Sequence, residues 1–144
     1  MSKKVENLLE IKDLKVCFQT ENGLVQALRN VSFEVRLGEV LALVGESGCG
    51  KSVTALSVMG LLPQPEGIIS GGSIHFQGRD LVRLPRKELR KYTGNEISMI
   101  FQEPMTSLNP VYTVGYQICE AIRQHSRISK KAVRDHTIEM LDKV

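Results

Sequence analysis

Residues 45–52, GESGCGKS, have the types and spacing that bind phosphate, because they match the pattern G-x-x-x-x-G-K-[ST]. Glycines allow the backbone to curl until successive N–H groups converge on phosphate oxygens. The ammonium group of Lys51 can reach the outer phosphates of a nucleotide, and the hydroxyl of Ser52 can bind Mg²⁺. The segment therefore predicts a site for a nucleoside triphosphate with its magnesium ion.

The flanking sequence supplies the elements that such a loop requires. The apolar run over 40–44 predicts a buried strand, and a helix is predicted from Lys51 to about Leu62, where Pro63 and Pro65 follow. The N-terminus of that helix would direct its positive dipole end at the phosphates. The alternative is a glycine-rich turn before an ordinary helix, which the strand, loop and helix order disfavours.

The rest of the chain predicts an α/β fold that begins with an antiparallel β layer. Leu14, Val16 and Phe18 alternate with polar residues, Asn22-Gly23 favours a tight turn, and a second alternating run follows over 31–35. Glycines over 67–72 are expected to interrupt the next stretch. The later predicted elements are a short strand around His75, a charged helix over 85–92, a core strand over 97–101, a long polar loop to 110, and helices over 114–124 and 129–144.

Composition narrows the possible partners. The chain has 144 residues, of which 42% are hydrophobic and 24% charged, with a net charge of +3. This suits one globular core, and no apolar run approaches the ~20 residues that span a bilayer. We interpret the basic residues over 79–91 as a solvated surface and expect no nucleic-acid partner, because aromatic residues do not interleave with them. The cysteines and histidines lack the spacing of metal ligands; they are Cys17, Cys49, Cys119, His75, His125 and His136. We expect the three histidines to lie on the surface.

The approach to the loop resembles the nucleotide-binding domain of ABC transporters, with LRNVSFEV over 28–35, then Gly38-Glu39, then GESGCGKS. The segment FQEPMTSLNP over 101–110 resembles a segment of the ATP-binding subunits of dipeptide and oligopeptide uptake systems. Nickel importers of the same subfamily share this motif. The resemblance covers nearly all of the chain. It implies a P-loop NTPase fold in which residues 1–144 form the N-terminal part of one ATP-binding domain, truncated before the family's signature, Walker B and switch-histidine segments.

The same resemblance implies where ATP binds. Phe18 takes the place of the aromatic residue that stacks on adenine, and the alternative is a core aromatic residue in an alternating strand. Cys49 occupies a variable position of the loop, and we interpret it as a spacer. The implied ATP-binding residues are Phe18, Gly45, Glu46, Ser47, Gly48, Cys49, Gly50, Lys51, Ser52 and Val53.

The resemblance also implies the catalytic and metal-binding residues. Lys51 and Gln102 are the expected catalytic residues, and Ser52 and Gln102 the expected Mg²⁺ ligands. Gln102 would also contact the attacking water and transmit the state of the nucleotide to the membrane subunits. Without the resemblance, the position of Gln102 favours a simpler interpretation, a polar residue that ends a strand.

The implied function is an ATPase that powers import of peptides, or of nickel, as a peripheral subunit on the cytoplasmic side of the cell membrane. Its expected partners are transmembrane permease subunits and a second ATP-binding subunit arranged head to tail. Two other classes stay open, a non-catalytic remnant and an unrelated P-loop kinase or GTPase. The 144 residues include no apolar strand that ends in the acidic residues of Walker B, so we do not expect them to hydrolyse ATP alone.

Overall fold

The computed structural model describes residues 7–103 and 107–144. Residues 104–106 of the predicted polar loop lie outside the described part. The chain divides into two compact units, the first ending at Leu89 and the second beginning at Arg90. The elements are β1 (Asn7–Thr20), β2 (Gly23–Arg36), α1 (Lys51–Met59), β3 (Gly67–Phe76), β4 (Arg79–Asp80), α2 (Arg86–Leu89), α3 (Val114–His125) and α4 (Lys130–Asp142), with a 3-10 turn at Leu81–Arg83.

The predicted antiparallel β layer is confirmed in the first unit. Strands β1 and β2 form a hairpin in which Thr20 pairs with Gly23, so the chain turns at Asn22-Gly23 as predicted. Gly23 has φ +111, a conformation that L residues with a Cβ rarely adopt. Strand β1 is central in the order β2-β1-β3-β4, and its pairings with both neighbours are antiparallel.

Strand β3 is longer than predicted, because its glycines accommodate the neighbouring strand instead of interrupting β3. The β1–β3 register shifts between the Lys12 and Lys15 pairs, and Asp13 at this irregularity has φ 48. Gly72 has φ +85, and a Cβ built on it would lie 2.5 Å from the carbonyl oxygens of Asp13 and Lys12. Two backbones therefore approach at a point that only glycine allows, and the expected break at this position was wrong.

The core of the first unit is formed mainly by the sheet. Ile11, Leu14, Val16 and Ile74 are the most buried of its large side chains, and Val58, Met59 and Leu62 are buried at the end of α1. His75 is half-buried, and its Nδ1 is a buried atom that has no hydrogen-bond partner within the described residues. The expectation of a surface residue was therefore wrong for His75, whereas His125 and His136 are exposed.

Neither of the two predicted core strands forms. Residues 40–44 make no strand pairing, and Val40 and Val44 are 95% and 93% exposed. In the other segment Ile97 makes only an isolated bridge to Thr93, while Ile100 is 93% exposed. An apolar run indicates a preference for burial, but a strand also needs partner strands that complete its hydrogen bonds. No strand of the described part pairs with residues 40–44.

Two helices of the first unit end earlier than their patterns suggested. Helix α1 stops at Met59, because Gly60 adopts φ 64 and the N–H of Leu61 donates to the carbonyl of Leu56 at 2.9 Å. This closure by a left-handed glycine is a common helix ending and precedes the prolines that we expected to end the helix. The predicted charged helix over 85–92 is shorter as well, since α2 covers only Arg86–Leu89.

The second unit contains helices α3 and α4, as predicted. Val133 is 1% exposed, and the sulfur of Cys119 lies 3.1 Å from the Oγ1 of Thr137, which joins the two helices. The hydrogen bond from Lys143 lowers the pKa of the exposed Glu139 carboxyl. Among the described residues, none of the helices combines the length and the apolar character required to cross a bilayer.

Candidate functional site

The loop over 45–52 closes around the ammonium group of Lys51. The Nζ of Lys51 donates hydrogen bonds to the carbonyl oxygens of Gly45 and Glu46, both at 2.7 Å. The N–H of Cys49 also donates to the carbonyl of Glu46, at 3.3 Å. These bonds fold the loop back over the first turn of α1, so the charge of Lys51 lies inside the curve of the backbone.

The loop rests on the β hairpin at Gly50. Gly50 has φ +99, and a Cβ built on it would lie 2.4 Å from the Cδ2 of Leu28. Leu28 is buried and pairs with Val16, a residue of the central strand. A larger residue at position 50 would therefore meet both a backbone and a packing conflict. The sequence pattern identified the glycine but not its support, since nothing in the spacing indicates that Leu28 lies beneath it.

The N-terminus of α1 is suited to bind an anion. Thr113 caps α3 and Ser129 caps α4 through side-chain oxygens, whereas Gly50 caps α1 without any side-chain hydrogen bond. The first turn of α1 also contains no acidic residue. The first N–H groups of a helix lack partners within the helix, and the dipole there favours negative charge. The loop and helix thus have the donor set that phosphate groups require.

The remaining loop residues leave the entrance accessible. Ser52 is exposed at the start of α1, and a Cβ built on Gly48, which has φ +81, would contact nothing within 4 Å. Cys49 is exposed, and its sulfur lies 3.5 Å from the Nζ of Lys51. This is a weak contact for a thiol, so we retain the interpretation of Cys49 as a spacer. The roles predicted for Glu46, Ser47 and Val53 stay predictions.

Phe18 is placed near the same support. It lies in β1 two residues beyond Val16, about 7 Å along the strand from the Val16–Leu28 pair. Phe18 pairs with Val25 and Gly67, and its Cε1 would lie 3.2 Å from a Cβ on Gly67. The ring is half-buried, and Val25 is 54% exposed. This environment suits both interpretations, an aromatic surface for a base and the margin of the core.

Phe18 provides a test that separates these interpretations. If its ring stacks on adenine, Phe18→Ala should weaken ATP binding by about 1–3 kcal/mol, by analogy with base stacking on aromatic side chains, and Phe18→Tyr should preserve it. ATP affinity can be measured by calorimetry. Phe33, half-buried in β2 of the same sheet, gives a matched control. If Phe18→Ala and Phe33→Ala reduce thermal stability alike while ATP binding is unchanged, Phe18 is a core residue.

Gln102 belongs to the second unit. It is exposed and follows Phe101, which is 42% exposed, in a segment that forms no strand. The expected position at the carboxyl end of a core strand is therefore not observed. Its predicted roles toward Mg²⁺ and the attacking water stay predictions that rest on the resemblance.

Comparison with known proteins shows the family. The sequence model of the family described as ABC transporter matches residues 28–144, and the chain belongs to this family. It is 51% identical over 141 residues to the oligopeptide transport ATP-binding protein OppD of Bacillus subtilis. That match covers 98% of this chain and 39% of the Bacillus subtilis protein. Identity to the Escherichia coli OppD is 47%, covering 98% of this chain and 41% of that protein. The chain thus spans about two fifths of these curated relatives.

Solved structures agree on the fold. The dimeric ATP-binding cassette MJ0796 in a post-hydrolysis state, bound to ADP and Pi, has a TM-score of 0.75 at 21% identity over 93% of this chain and 56% of that chain. A second dimeric structure of MJ0796 has a TM-score of 0.78 at 22% identity, with the same coverage. The fold is therefore that of an ATP-binding cassette, and the expected P-loop NTPase class is confirmed.

Proposed function

We propose that this chain is the ATP-binding portion of an ATPase subunit that powers peptide import. The observation that carries the proposal is the closed loop around Lys51 at the uncapped N-terminus of α1. It is supported by the oligopeptide and dipeptide transport names of relatives about half identical to this chain. Peptide is preferred to nickel as the cargo, because those names refer to peptides.

In the proposed mechanism, the loop holds the phosphates of ATP for attack by water. Lys51 would move its hydrogen bonds from the carbonyls of Gly45 and Glu46 to phosphate oxygens, with the N–H groups of α1 as further donors. Mg²⁺, when bound through the hydroxyl of Ser52, would supply positive charge that neutralises the phosphates. A water oxygen then bonds to the terminal phosphorus as the bond to ADP breaks, and a proton of that water passes to the released phosphate or to solvent. The charge that moves onto the leaving oxygen is stabilised by fixed donors.

The proposed partners follow from the family. We propose that transmembrane permease subunits and a second ATP-binding subunit complete the transporter, with this chain on the cytoplasmic side of the membrane. The dimeric cassettes among the structural relatives support the second subunit. Gln102 is proposed to report the state of the nucleotide to the permease, on the resemblance alone.

A chimaera tests the proposal directly. This chain would replace the matching part of the Bacillus subtilis OppD, in a strain that lacks the native subunit. We expect the purified chimaera to bind and hydrolyse ATP, and the strain to recover uptake of a labelled oligopeptide but not of nickel. A stable chimaera that binds no ATP would contradict the nucleotide site and favour a non-catalytic remnant. One that hydrolyses ATP but supports no peptide uptake would contradict the cargo.

The 144-residue polypeptide alone should associate with itself and should not turn over ATP. The apolar side chains of Val40, Val44 and Ile100 are almost fully exposed, and exposed apolar surface drives association. Gel filtration measures the first property, and phosphate release against a Lys51→Ala background measures the second. The double substitution Val40→Asp and Ile100→Asp should increase the monomer fraction. A monodisperse wild-type chain with Lys51-dependent turnover would show this expectation to be wrong.

A further inference from the structure

The side chain of Gln117 ties helix α3 to the backbone that precedes it. Gln117 is half-buried in the first turns of α3. Its Nε2 donates hydrogen bonds to the carbonyl oxygens of Asn109 and Tyr112, both at 3.0 Å. Its Oε1 accepts a hydrogen bond from the N–H of Asn109 at 2.9 Å. The side-chain amide of Gln117 thus makes three hydrogen bonds, two as donor and one as acceptor. All three are with backbone groups of Asn109 and Tyr112.

The turn held by Gln117 is also ordered by local bonds. The Oδ1 of Asn109 accepts from the N–H of Val111 at 2.9 Å, and the N–H of Tyr112 donates to the carbonyl of Asn109 at 3.2 Å. Thr113 then caps α3 by accepting from the N–H of Tyr116 at 3.3 Å. These bonds join near neighbours, whereas the bonds of Gln117 reach back eight residues to Asn109. Gln117 is therefore the connection that fastens the whole turn, over 109–112, to α3.

We propose that Gln117 is a positioning residue that makes the end of the segment after Gln102 move together with helix α3. This rests on the proposed function, in which that segment transmits the state of the nucleotide to the permease. A turn held to a helix by these bonds moves with the helix, whereas a turn that lacks them moves independently of it. Gln117 contacts neither nucleotide nor water, and it acts through the backbone of Asn109 and Tyr112.

The chemistry of the amide makes this role specific to glutamine. Glutamate keeps the acceptor for the N–H of Asn109 but has no donor for the two carbonyl oxygens, and its negative charge would face them. Alanine removes all of these bonds. Gln117→Glu and Gln117→Ala should therefore both release the turn, while the helix itself tolerates either residue.

The test uses the chimaera assembled with the permease subunits of the Bacillus subtilis transporter in lipid vesicles. Both Gln117 variants should retain the nucleotide affinity and the permease-independent ATPase rate of the wild type. Both should lower permease-stimulated turnover and the peptide imported per ATP by roughly thirty- to 150-fold, the factor that corresponds to loss of two or three neutral hydrogen bonds. Gln124→Ala is the matched control, because Gln124 lies exposed at the end of the same helix and makes no side-chain hydrogen bond within the described residues.

The outcomes separate this inference from the function on which it depends. If the Gln117 variants import as much peptide per ATP as the wild type and Gln124→Ala, Gln117 does not couple the segment to α3. If they lose thermal stability and nucleotide affinity together, with peptide per ATP unchanged, its role is structural only. A wild-type chimaera that fails to hydrolyse ATP or to import peptide contradicts the proposed function, and the inference about Gln117 falls with it.

Discussion

Lys51→Ala should reduce ATP turnover by the chimaera by about 10²–10³-fold, the cost of removing one preorganised donor from developing charge. The ammonium of Lys51 is the charged group enclosed by the loop, and its bonds to Gly45 and Glu46 also close the loop. Alanine at position 51 would thus remove the cation that is predicted to bind the phosphates. It would also remove the two hydrogen bonds that close the loop. Steady-state phosphate release and ATP affinity measure the two losses.

Two further substitutions sharpen the test of Lys51. Lys51→Arg should fail as well, because a guanidinium is larger and planar and does not fit the position that the compact ammonium group occupies inside the loop. Lys131→Ala, at an exposed position of α4, controls for the general loss of a lysine and should have wild-type activity. If Lys51→Ala keeps the turnover and affinity of Lys131→Ala, the loop is not the phosphate site.

Gly72→Ala should destabilise the β sheet by about 2–5 kcal/mol, combining a left-handed backbone penalty with overpacking. The added methyl group would lie 2.5 Å from backbone atoms of Asp13 and Lys12, which cannot rotate away as a side chain can. Because β1 and β3 are the two inner strands in the order β2-β1-β3-β4, separating them divides the four-stranded sheet into two pairs. The urea midpoint of the chimaera, with its slope, gives the change in the free energy of unfolding.

Gly78→Ala is the matched control for Gly72→Ala. Gly78 has φ +80, close to that of Gly72, but a Cβ built on it would contact nothing within 4 Å. It should therefore show only the backbone penalty, about 1–2 kcal/mol. Equal destabilisation by the two substitutions would mean that the close approach of β1 and β3 has no energetic consequence.

Local patterns predicted the β1–β2 hairpin and the start of helix α1 at Lys51. Alternation around Val16 and the Asn22-Gly23 turn predicted the β1–β2 pair, because side-chain direction in a strand repeats every two residues. The spacing up to Lys51 predicted a loop that the structure closes around its ammonium group. In both cases the interactions join residues close in the chain, so the information is local.

Patterns failed where a distant partner decides the outcome. Residues 40–44 and 97–101 have the apolar character of core strands, yet neither forms one, since strands require partners that the described residues do not supply. His75 looked like a surface residue because nothing in its spacing indicates that its Nδ1 is buried. The hydrogen bonds of Gln117 could not be predicted from the sequence, since a single glutamine on a helix matches no motif.

The sequence by itself determined the family, the start of helix α1 at Lys51, and the antiparallel hairpin, because each depends on residue types at fixed short spacings. Only the tertiary structure decided that Leu28 supports Gly50, that Gly72 admits the backbone of β1, and that Gln117 holds the turn over 109–112. These contacts join segments that the chain brings together only on folding. Their geometry depends on the packed positions of both partners, which no local pattern contains.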